Sequence, residues 1–173
     1  MSIVPLSAAD IEARLPELSD LLHACVMEGA SVNFITPYAI EDAERFWRKK
    51  VLARMDDGLL TVLGWLEGGR VVGSVQLDAD TPPNQAHRAD VKKMLVHPAF
   101  QRRGIGKALM AAVEQAARDK GLTLLTLDTR SGDKGEPLYR ASGFEVAGVI
   151  PGYSRDPFAD VYDACTYMYK QLA

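Results

Sequence analysis

The sequence has little of several features that define particular classes of protein. It contains two cysteines, Cys25 and Cys165, in 173 residues, which is too few for a disulfide framework or a zinc knuckle, so we expect buried free thiols. No run is apolar over the roughly 20 residues that a membrane-spanning helix needs. Residues 1–15 predict an acidic helix where a signal peptide would carry a basic segment and then an apolar one. We therefore expect a cytoplasmic protein.

The chain also lacks a strong excess of charge. Its net charge of -3 argues against nonspecific binding to nucleic acid or to an anionic membrane through the whole surface, and we expect neither partner. Apolar residues make up 47% and charged residues 25%, the balance of a globular protein rather than of a disordered one. No internal repeat, low-complexity segment or linker interrupts it. We predict a single domain over residues 1–173.

Hydrophobic periodicity predicts a mixed α/β (α+β) fold. The predicted elements, in chain order, are a short strand at 2–6, helices at 8–29 and 39–58, a β-hairpin over 59–79, a strand at 89–98, a helix at 105–120, a strand at 122–129, a short helix at 135–143, and strands at 145–153 and 161–170. Ser7 is placed to cap the first helix, and Pro16 makes a kink or a break in that helix possible. The nearly continuous apolar run at 122–129 predicts a strand covered on both faces. This order predicts a mixed, mostly antiparallel twisted sheet with helices on both faces.

The stretch QRRGIGKALM, residues 101–110, joins a predicted strand to a predicted helix. The first turn of a helix has unpaired backbone N–H groups and a partial positive charge, so glycines that admit a ligand make an anion site there. Arg102, Arg103 and Lys107 add full charges that suit a pyrophosphate. The stretch lacks the third glycine of a dinucleotide fingerprint and the Gly-Lys-Ser/Thr ending of a P-loop. Two alternatives to an anion site of this kind remain: the stretch is a glycine-containing turn with solvated arginines, or it binds another nucleotide.

Residues 94–110, MLVHPAFQRRGIGKALM, resemble the acetyl-CoA signature of the GNAT N-acetyltransferases: a strand, a proline turn, a Gln/Arg-x-x-Gly-x-Gly/Ala loop and an amphipathic helix. Residues 138–144, LYRASGF, resemble the Leu-Tyr-x-x-x-Gly-Phe segment of that family, and the predicted order of elements agrees over nearly the whole chain. The segments GASVNF, LTLDT and IPGYS are similar, more narrowly, to acetyltransferases that confer tabtoxin resistance by acetylating a small toxin amine. The resemblance implies the GNAT fold and acetyl-CoA as acyl donor.

The resemblance also implies roles for individual residues. The backbone of Met94, Leu95 and Val96 would pair with the pantetheine arm like an added strand, with one N–H polarising the thioester carbonyl. Tyr139 matches a tyrosine near the coenzyme sulfur that can protonate the departing thiolate. Gly132 departs from the pattern, because many members have an asparagine there whose side chain can bond the coenzyme. The loop that would wrap the pyrophosphate consists of Arg102, Arg103, Gly104, Ile105, Gly106 and Lys107.

The chemistry also demands a base. An alkylammonium cannot attack a thioester until it loses a proton, so a general base, or a water path to one, must lie near the acceptor. Asp128 stands at the C-terminal end of an apolar strand, where an ionisable group is paired, perturbed or functional. Asp90 opens the neighbouring strand and could face the same cleft. For each of these two carboxylates, the alternative to a catalytic role is an ordinary solvated side chain at a strand end. The three histidines lack the spacing of metal ligands, so we expect no metal.

The acceptor is less well indicated. Five aspartates fall in loops or at strand ends that could border the acceptor side: Asp78, Asp80, Asp156, Asp160 and Asp163. They favour a cationic amine, although ordinary surface charge is an equal alternative. We expect an enzyme that acetylates a primary amine of a small molecule, such as an amino-acid-like toxin or antibiotic, by direct attack in a ternary complex. A protein lysine or N-terminus is the rival acceptor, a non-catalytic acetyl-CoA-sensing module is the rival function, and the resemblance allows a homodimer.

Overall fold

One seven-stranded sheet runs through the computed structural model, which describes residues 2–172. The strands are β1 (Ser2–Pro5), β2 (Leu60–Glu67), β3 (Arg70–Asp78), β4 (Arg88–Val96), β5 (Leu124–Arg130), β6 (Glu145–Arg155) and β7 (Tyr162–Gln171). Their order across the sheet is β1-β2-β3-β4-β5-β7-β6, and each neighbouring pair is antiparallel except the parallel pair β4 and β5. This confirms the predicted mixed, mostly antiparallel sheet.

Helices flank the sheet. The α-helices of the described residues are α1 (Ala8–Ala13), α2 (Leu15–Met27), α3 (Ile40–Phe46), α4 (Ile105–Asp119) and α5 (Gly135–Ala141). Ser7 caps α1 by accepting from the backbone N–H of Asp10 at 3.1 Å, and Pro16 lies in the first turn of α2, where the predicted break occurs. α3 continues as a π-helical segment (Trp47–Val51) and then as a 3₁₀ segment (Leu52–Asp57). The chain leaves the helix at Gly58, which has a φ of 69°. Within residues 2–172, none of the helices has the length and apolar character that spanning a bilayer requires.

Two apolar cores form against the sheet. In the first core, α4 packs against β3 and its neighbours and buries Leu109, Met110 and Val113. In the second, α1, α2 and α3 surround Trp47, whose indole N–H donates to the carbonyl of Leu18 at 2.8 Å. That second core takes in residues of β1 to β4, but none of the described residues of β5, β6 or β7. The first three helices therefore leave half of one sheet face uncovered.

The uncovered face corrects one expectation about β5. Leu125, Leu127 and Thr129 are buried, but Asp128 between them is exposed. Successive residues of a strand point to opposite faces, so one face of β5 packs into the first core while the other faces the open side. The prediction that β5 is covered on both faces is therefore wrong, because α1, α2 and α3 do not reach it.

The sheet opens into a fork between its two parallel strands. β4 and β5 are paired over three positions, from Arg88 opposite Leu124 to Asp90 opposite Thr126. Beyond those positions the strands have no paired residues. The backbone groups on the inner edges of the fork are therefore available to an extended ligand, since a strand edge can pair with any chain that carries amide groups.

Candidate active site

A cleft of about 510 Å³ opens at the fork. Its walls are the segment that follows α2, the second half of β4, the first turn of α4, the end of β5 and the start of α5. Seven of the predicted coenzyme residues line it: Met94, Val96, Arg102, Gly104, Ile105, Gly106 and Lys107. Tyr139 and Asp128 line the same cleft. The structure thus brings the predicted coenzyme loop, acid and base together, although they are separated along the chain.

The loop before α4 owes its shape to two left-handed residues. Arg102 has a φ of 63° and Gly104 a φ of 81°, and such alternation curls the backbone so that successive N–H groups converge. Gly104 caps α4 without a side-chain hydrogen bond, so the first amides of this 15-residue helix keep free N–H groups. At Gly106 a Cβ would stand 3.1 Å from Leu138, so the glycine allows α4 and α5 to approach closely. The positive end of α4 faces the cleft.

Arg103 points away from that anion site. Its guanidinium pairs with Glu67 at 3.0 Å and lies 5.1 Å from the ring centre of Phe100. Arg103 is also absent from the residues that line the cleft. Of the three predicted cations, Arg102 and Lys107 are therefore the ones that line the cleft with the first amides of α4.

Leu95 does not face the cleft either. Its side chain is 1% exposed and belongs to the second core. The N–H of His97 donates to the carbonyl of Val72 in the strand β3 at 2.9 Å, and residues two apart in a strand direct their backbone groups to the same side. The backbone of Leu95 therefore faces β3. Val96 faces the fork, where its carbonyl already accepts from the Gln101 side chain at 3.2 Å and from the Cys25 thiol at 3.5 Å. The backbone N–H groups on either side of Leu95 are therefore the ones that can pair with pantetheine.

Tyr139 is held in the cleft by close packing within α5. A Cβ at Gly135 would lie 3.1 Å from the Tyr139 ring, so the glycine allows the ring to lie against the first turn of its own helix. Burial raises the pKa of the Tyr139 hydroxyl well above its ordinary value, and the carboxylates of Asp133 and Asp128 raise it further. The phenol therefore keeps its proton throughout the physiological range and is available as a proton donor.

The two base candidates have different surroundings. Asp128 is exposed on the open face of β5 and lines the cleft, with the thiol of Cys165 3.8 Å from its Oδ2. Asp90 lies where β4 and β5 are still paired, outside the lining of the cleft. Its Oδ1 accepts hydrogen bonds from Arg88 at 2.7 Å and from Thr126. Of the two carboxylates, the structure brings Asp128 together with the coenzyme residues.

Lys93 also lines the cleft, and sequence reasoning missed it. It occupies a bulge in the pairing of β4 with β3 and has a φ of 49°. Its Nζ donates to the carbonyl of Val32 at 2.6 Å and lies 5.0 Å from the ring centre of Phe34 and 5.6 Å from that of Phe46. Burial lowers the pKa of this ammonium to about 8. The signal that could have found it is a pair of adjacent lysines in a predicted strand, followed directly by the apolar residues Met94, Leu95 and Val96.

The five aspartates expected to attract a cationic acceptor are all engaged in ion pairs. The pairs are Arg54 with Asp78 (2.8 Å) and Asp80 (3.2 Å), Arg130 with Asp156 (3.1 Å) and Asp163 (3.4 Å), and Arg155 with Asp160 (3.3 Å). Burial alone would raise the pKa of Asp78, but hydrogen bonds from Arg54 and Lys92 outweigh it and lower the pKa to about 2. Each carboxylate has a cationic partner, but Arg54 and Arg130 are each shared by two of the five, so the pairing reduces their negative charge without cancelling it.

The cysteines are buried free thiols, as expected. Burial raises the pKa of Cys25 to about 12 and that of Cys165 to about 11. A thiol acts as a nucleophile only as the thiolate, so neither residue is prepared to form an acyl-enzyme. Among residues 2–172, no group of three or more His, Cys, Asp or Glu side chains is arranged to hold a metal ion.

Known proteins resemble this chain in both sequence and fold. The model of the Acetyltransferase (GNAT) family matches residues 23–144. An uncharacterized N-acetyltransferase of Azospirillum brasilense is 34% identical over 125 residues, which are 71% of this chain and 72% of that relative. The N-alpha-acetyltransferase RimI of Mycobacterium tuberculosis is 34% identical over 102 residues, which are 58% of this chain and 61% of that relative. The Salmonella typhimurium protein yncA, solved with its cofactor acetyl-CoA, aligns with a TM-score of 0.76 and 21% identity over 100% of this chain and 94% of its own.

The chain belongs to the GNAT family of acetyltransferases, and its activity is that of an N-acetyltransferase. Acetyltransferases of this family use acetyl-CoA. The residues of the cleft fit that coenzyme, because free amides and two cations surround the start of α4 and a free strand edge leads from it along β4. The identification favours an enzyme over a non-catalytic coenzyme sensor. The narrower similarity to tabtoxin-resistance acetyltransferases is not shown by these comparisons.

Proposed function

We propose that this protein transfers the acetyl group of acetyl-CoA to a primary amine of a small molecule, by direct attack within a ternary complex. The observation that carries the proposal is the fork, which connects the positive end of α4 with Tyr139 and Asp128 in one cleft. The pyrophosphate would lie at the first turn of α4, near Arg102 and Lys107. The pantetheine would extend along the free edge of β4, on the side to which Val96 directs its backbone.

The residues of the cleft divide the proton transfers between them. Bound acetyl-CoA would supply an acetyl group that is activated as a thioester. Asp128, exposed to the open face, would accept a proton from the acceptor ammonium directly or through a water molecule. As the nitrogen bonds the acetyl carbon and the C–S bond breaks, Tyr139 would donate its proton to the departing sulfur. The phenol would regain a proton, directly or through water, from the nitrogen, which still carries one more than the amide product holds. The raised pKa values of both cysteines support direct transfer rather than a covalent enzyme intermediate.

Replacing the acid tests this assignment. In Tyr139→Phe we expect kcat to fall about 100-fold, since positioned acids and bases contribute roughly 100- to 10,000-fold, while the affinity for acetyl-CoA stays unchanged. Release of free thiol measures kcat, and calorimetry measures the affinity. Tyr169→Phe is the matched control, because that hydroxyl bonds to Glu145 at 3.0 Å and lies outside the cleft. Unchanged turnover of Tyr139→Phe over a broad pH range would remove the acid role.

A protein N-terminus is the second candidate acceptor. It is favoured by the 34% identity with the N-alpha-acetyltransferase RimI of Mycobacterium tuberculosis. The two acceptors are distinguished by comparing kcat/KM for small primary amines with kcat/KM for peptides that have a free N-terminus. Higher values for small amines support our proposal, and efficient acetylation restricted to peptides would replace it with the second candidate.

A further inference from the structure

A second cavity, of about 760 Å³, adjoins the cleft. We call it the α3 pocket; its walls come from residues 33–38, from α3 and the turns that follow it, and from the facing parts of β3 and β4. Asn33, Lys92 and Lys93 belong to the walls of both cavities. The two cavities therefore meet at the bulge of β4. Ligand pockets for small molecules have volumes of roughly 300–1,000 Å³, so this one suits a small compound.

Two buried polar atoms in the α3 pocket have no hydrogen-bond partner among residues 2–172: Nε2 of Gln76 and the hydroxyl of Tyr38. Gln76 is 5% exposed and Tyr38 is 9% exposed. Leaving a buried polar group unpaired is unfavourable, so such a group in a pocket wall points to a ligand that supplies the partner. The amide nitrogen can only donate, and a phenol can donate. Each donor lies beneath the wall of the α3 pocket and can pair with a ligand oxygen once its side chain turns toward the cavity.

The charge of the α3 pocket favours an anionic ligand. The charged residues of its lining are Arg45, Lys49, Lys50, Arg54, Lys92, Lys93, Asp42 and Asp78. Both carboxylates are already paired, since Asp42 bonds Arg45 at 2.5 Å and Asp78 bonds Arg54 at 2.8 Å. The excess of cations is local, because the whole chain carries a net charge of -3. A carboxylate is the oxygen ligand that satisfies both the donors and this charge.

The remaining wall of the α3 pocket is apolar. The rings of Phe34 and Phe46 meet edge to face with their centres 5.3 Å apart, and the ring of Tyr38 lies 4.8 Å from Phe34. Ile35, which is 48% exposed, and Pro37 extend this wall. An apolar or aromatic body can pack against these side chains while its carboxylate reaches the buried donors.

We propose that the α3 pocket binds the unreactive part of the acceptor, and that the acceptor is an amine that carries a carboxylate on an apolar body. The carboxylate accepts from Gln76 and Tyr38, the body packs against Phe34 and Phe46, and the amine reaches the fork beside Lys93. This inference rests on the proposed function and adds the class of substrate. It narrows the expected small-molecule amine to one that also carries a carboxylate.

Matched amines test the inference. Phenylalanine and phenethylamine differ only by a carboxylate, as do leucine and 3-methylbutylamine. We expect kcat/KM for thiol release to be at least about tenfold higher for the carboxylate member of a pair, since hydrogen bonds to charged groups are the strong ones. Gln76→Leu and Tyr38→Phe should each lower that value about tenfold and leave the decarboxylated amine unaffected. Ser19→Ala, which removes an unpartnered buried hydroxyl that lines neither cavity, is the control.

A titration separates this inference from the proposed function. Phenylalanine and leucine are titrated calorimetrically into the protein in the presence of coenzyme A, with Tyr38→Phe as the comparison because it preserves the ring. Binding that Tyr38→Phe weakens about tenfold supports the pocket even if no amine is acetylated. Equal kcat/KM within each pair, unchanged by both variants, would overturn the inference and leave the acetyltransferase proposal intact. Absence of transfer to every amine, together with absence of coenzyme binding, would overturn the proposed function instead.

Discussion

The ammonium of Lys93 is partly removed from water, and this burial disfavours its charged form. Replacing Lys93 by an uncharged residue should therefore stabilise the protein. Burial lowers the pKa of the ammonium from 10.5 to about 8. Below pH 8 the group is protonated in both the folded and the unfolded state, and the folded state bears the full penalty. As the pH rises from about 8 to 10.5, the folded protein has already lost the proton that the unfolded chain still binds, so its stability increases across that window.

The magnitude follows from the two pKa values. A change from 10.5 to about 8 corresponds to about 3 kcal/mol in the free energy of unfolding. Lys93 is partly exposed, and it retains a hydrogen bond to Val32 and contacts with two aromatic rings, so we expect about 1–2 kcal/mol. Lys93→Met keeps the unbranched side chain in place and removes the charge. The variant should therefore be more stable than the wild type by about 1–2 kcal/mol at pH 7, and the difference should disappear by pH 10.5.

Urea unfolding of the wild type and Lys93→Met at pH 7 and at pH 10 measures this difference. Lys50→Met is the matched control, because Lys50 is an exposed lysine of the same pocket rim and its replacement removes a solvated charge rather than a buried one. A variant that is less stable than the wild type at pH 7, or a difference that stays constant up to pH 10, would exclude a desolvation penalty on the Lys93 ammonium.

Two further substitutions probe other parts of the structure. In Gly106→Ala the added Cβ would lie 3.1 Å from Leu138 at the edge of the cleft, so we expect calorimetry to show about tenfold weaker binding of acetyl-CoA, whereas Gly148→Ala, which has no atom within 4 Å of its added Cβ, should bind normally. Asp78→Asn removes the charge from a buried ion pair with Arg54 and should reduce the free energy of unfolding by about 3 kcal/mol at pH 7. Because the pKa of Asp78 is lowered to about 2, the wild type should lose about 2 kcal/mol relative to Asp78→Asn as the pH falls from 4 to 2. Equal acid sensitivity of the two proteins would contradict that cause.

The fold was predictable because its signals are local. The period of apolar residues defines the helices and strands, and Gly68 and Gly69, both with positive φ, close the predicted hairpin. The residues proposed to hold the coenzyme could be grouped from the sequence for the same reason. The end of β4, the loop and the start of α4 are contiguous in sequence, so one motif contains the residues that the fold later brings to one place.

The proposed acceptor pocket could not be predicted, because its residues meet only through tertiary structure. Tyr38, Gln76 and Lys93 come from three different segments, and the bulge that directs Lys93 toward α3 leaves little trace in the sequence. Charge was misleading as well. Asp78 and Arg54 are 24 positions apart, and no local pattern shows that one neutralises the other. The exposure of Asp128 likewise depends on where the first three helices end.

The most direct test of the account is a crystal structure of this protein with acetyl-CoA. We expect the pyrophosphate oxygens within about 3 Å of the backbone amides in the first turn of α4, and the thioester in the fork between β4 and Tyr139. A pyrophosphate bound away from the start of α4, or a thioester outside the fork, would contradict the account.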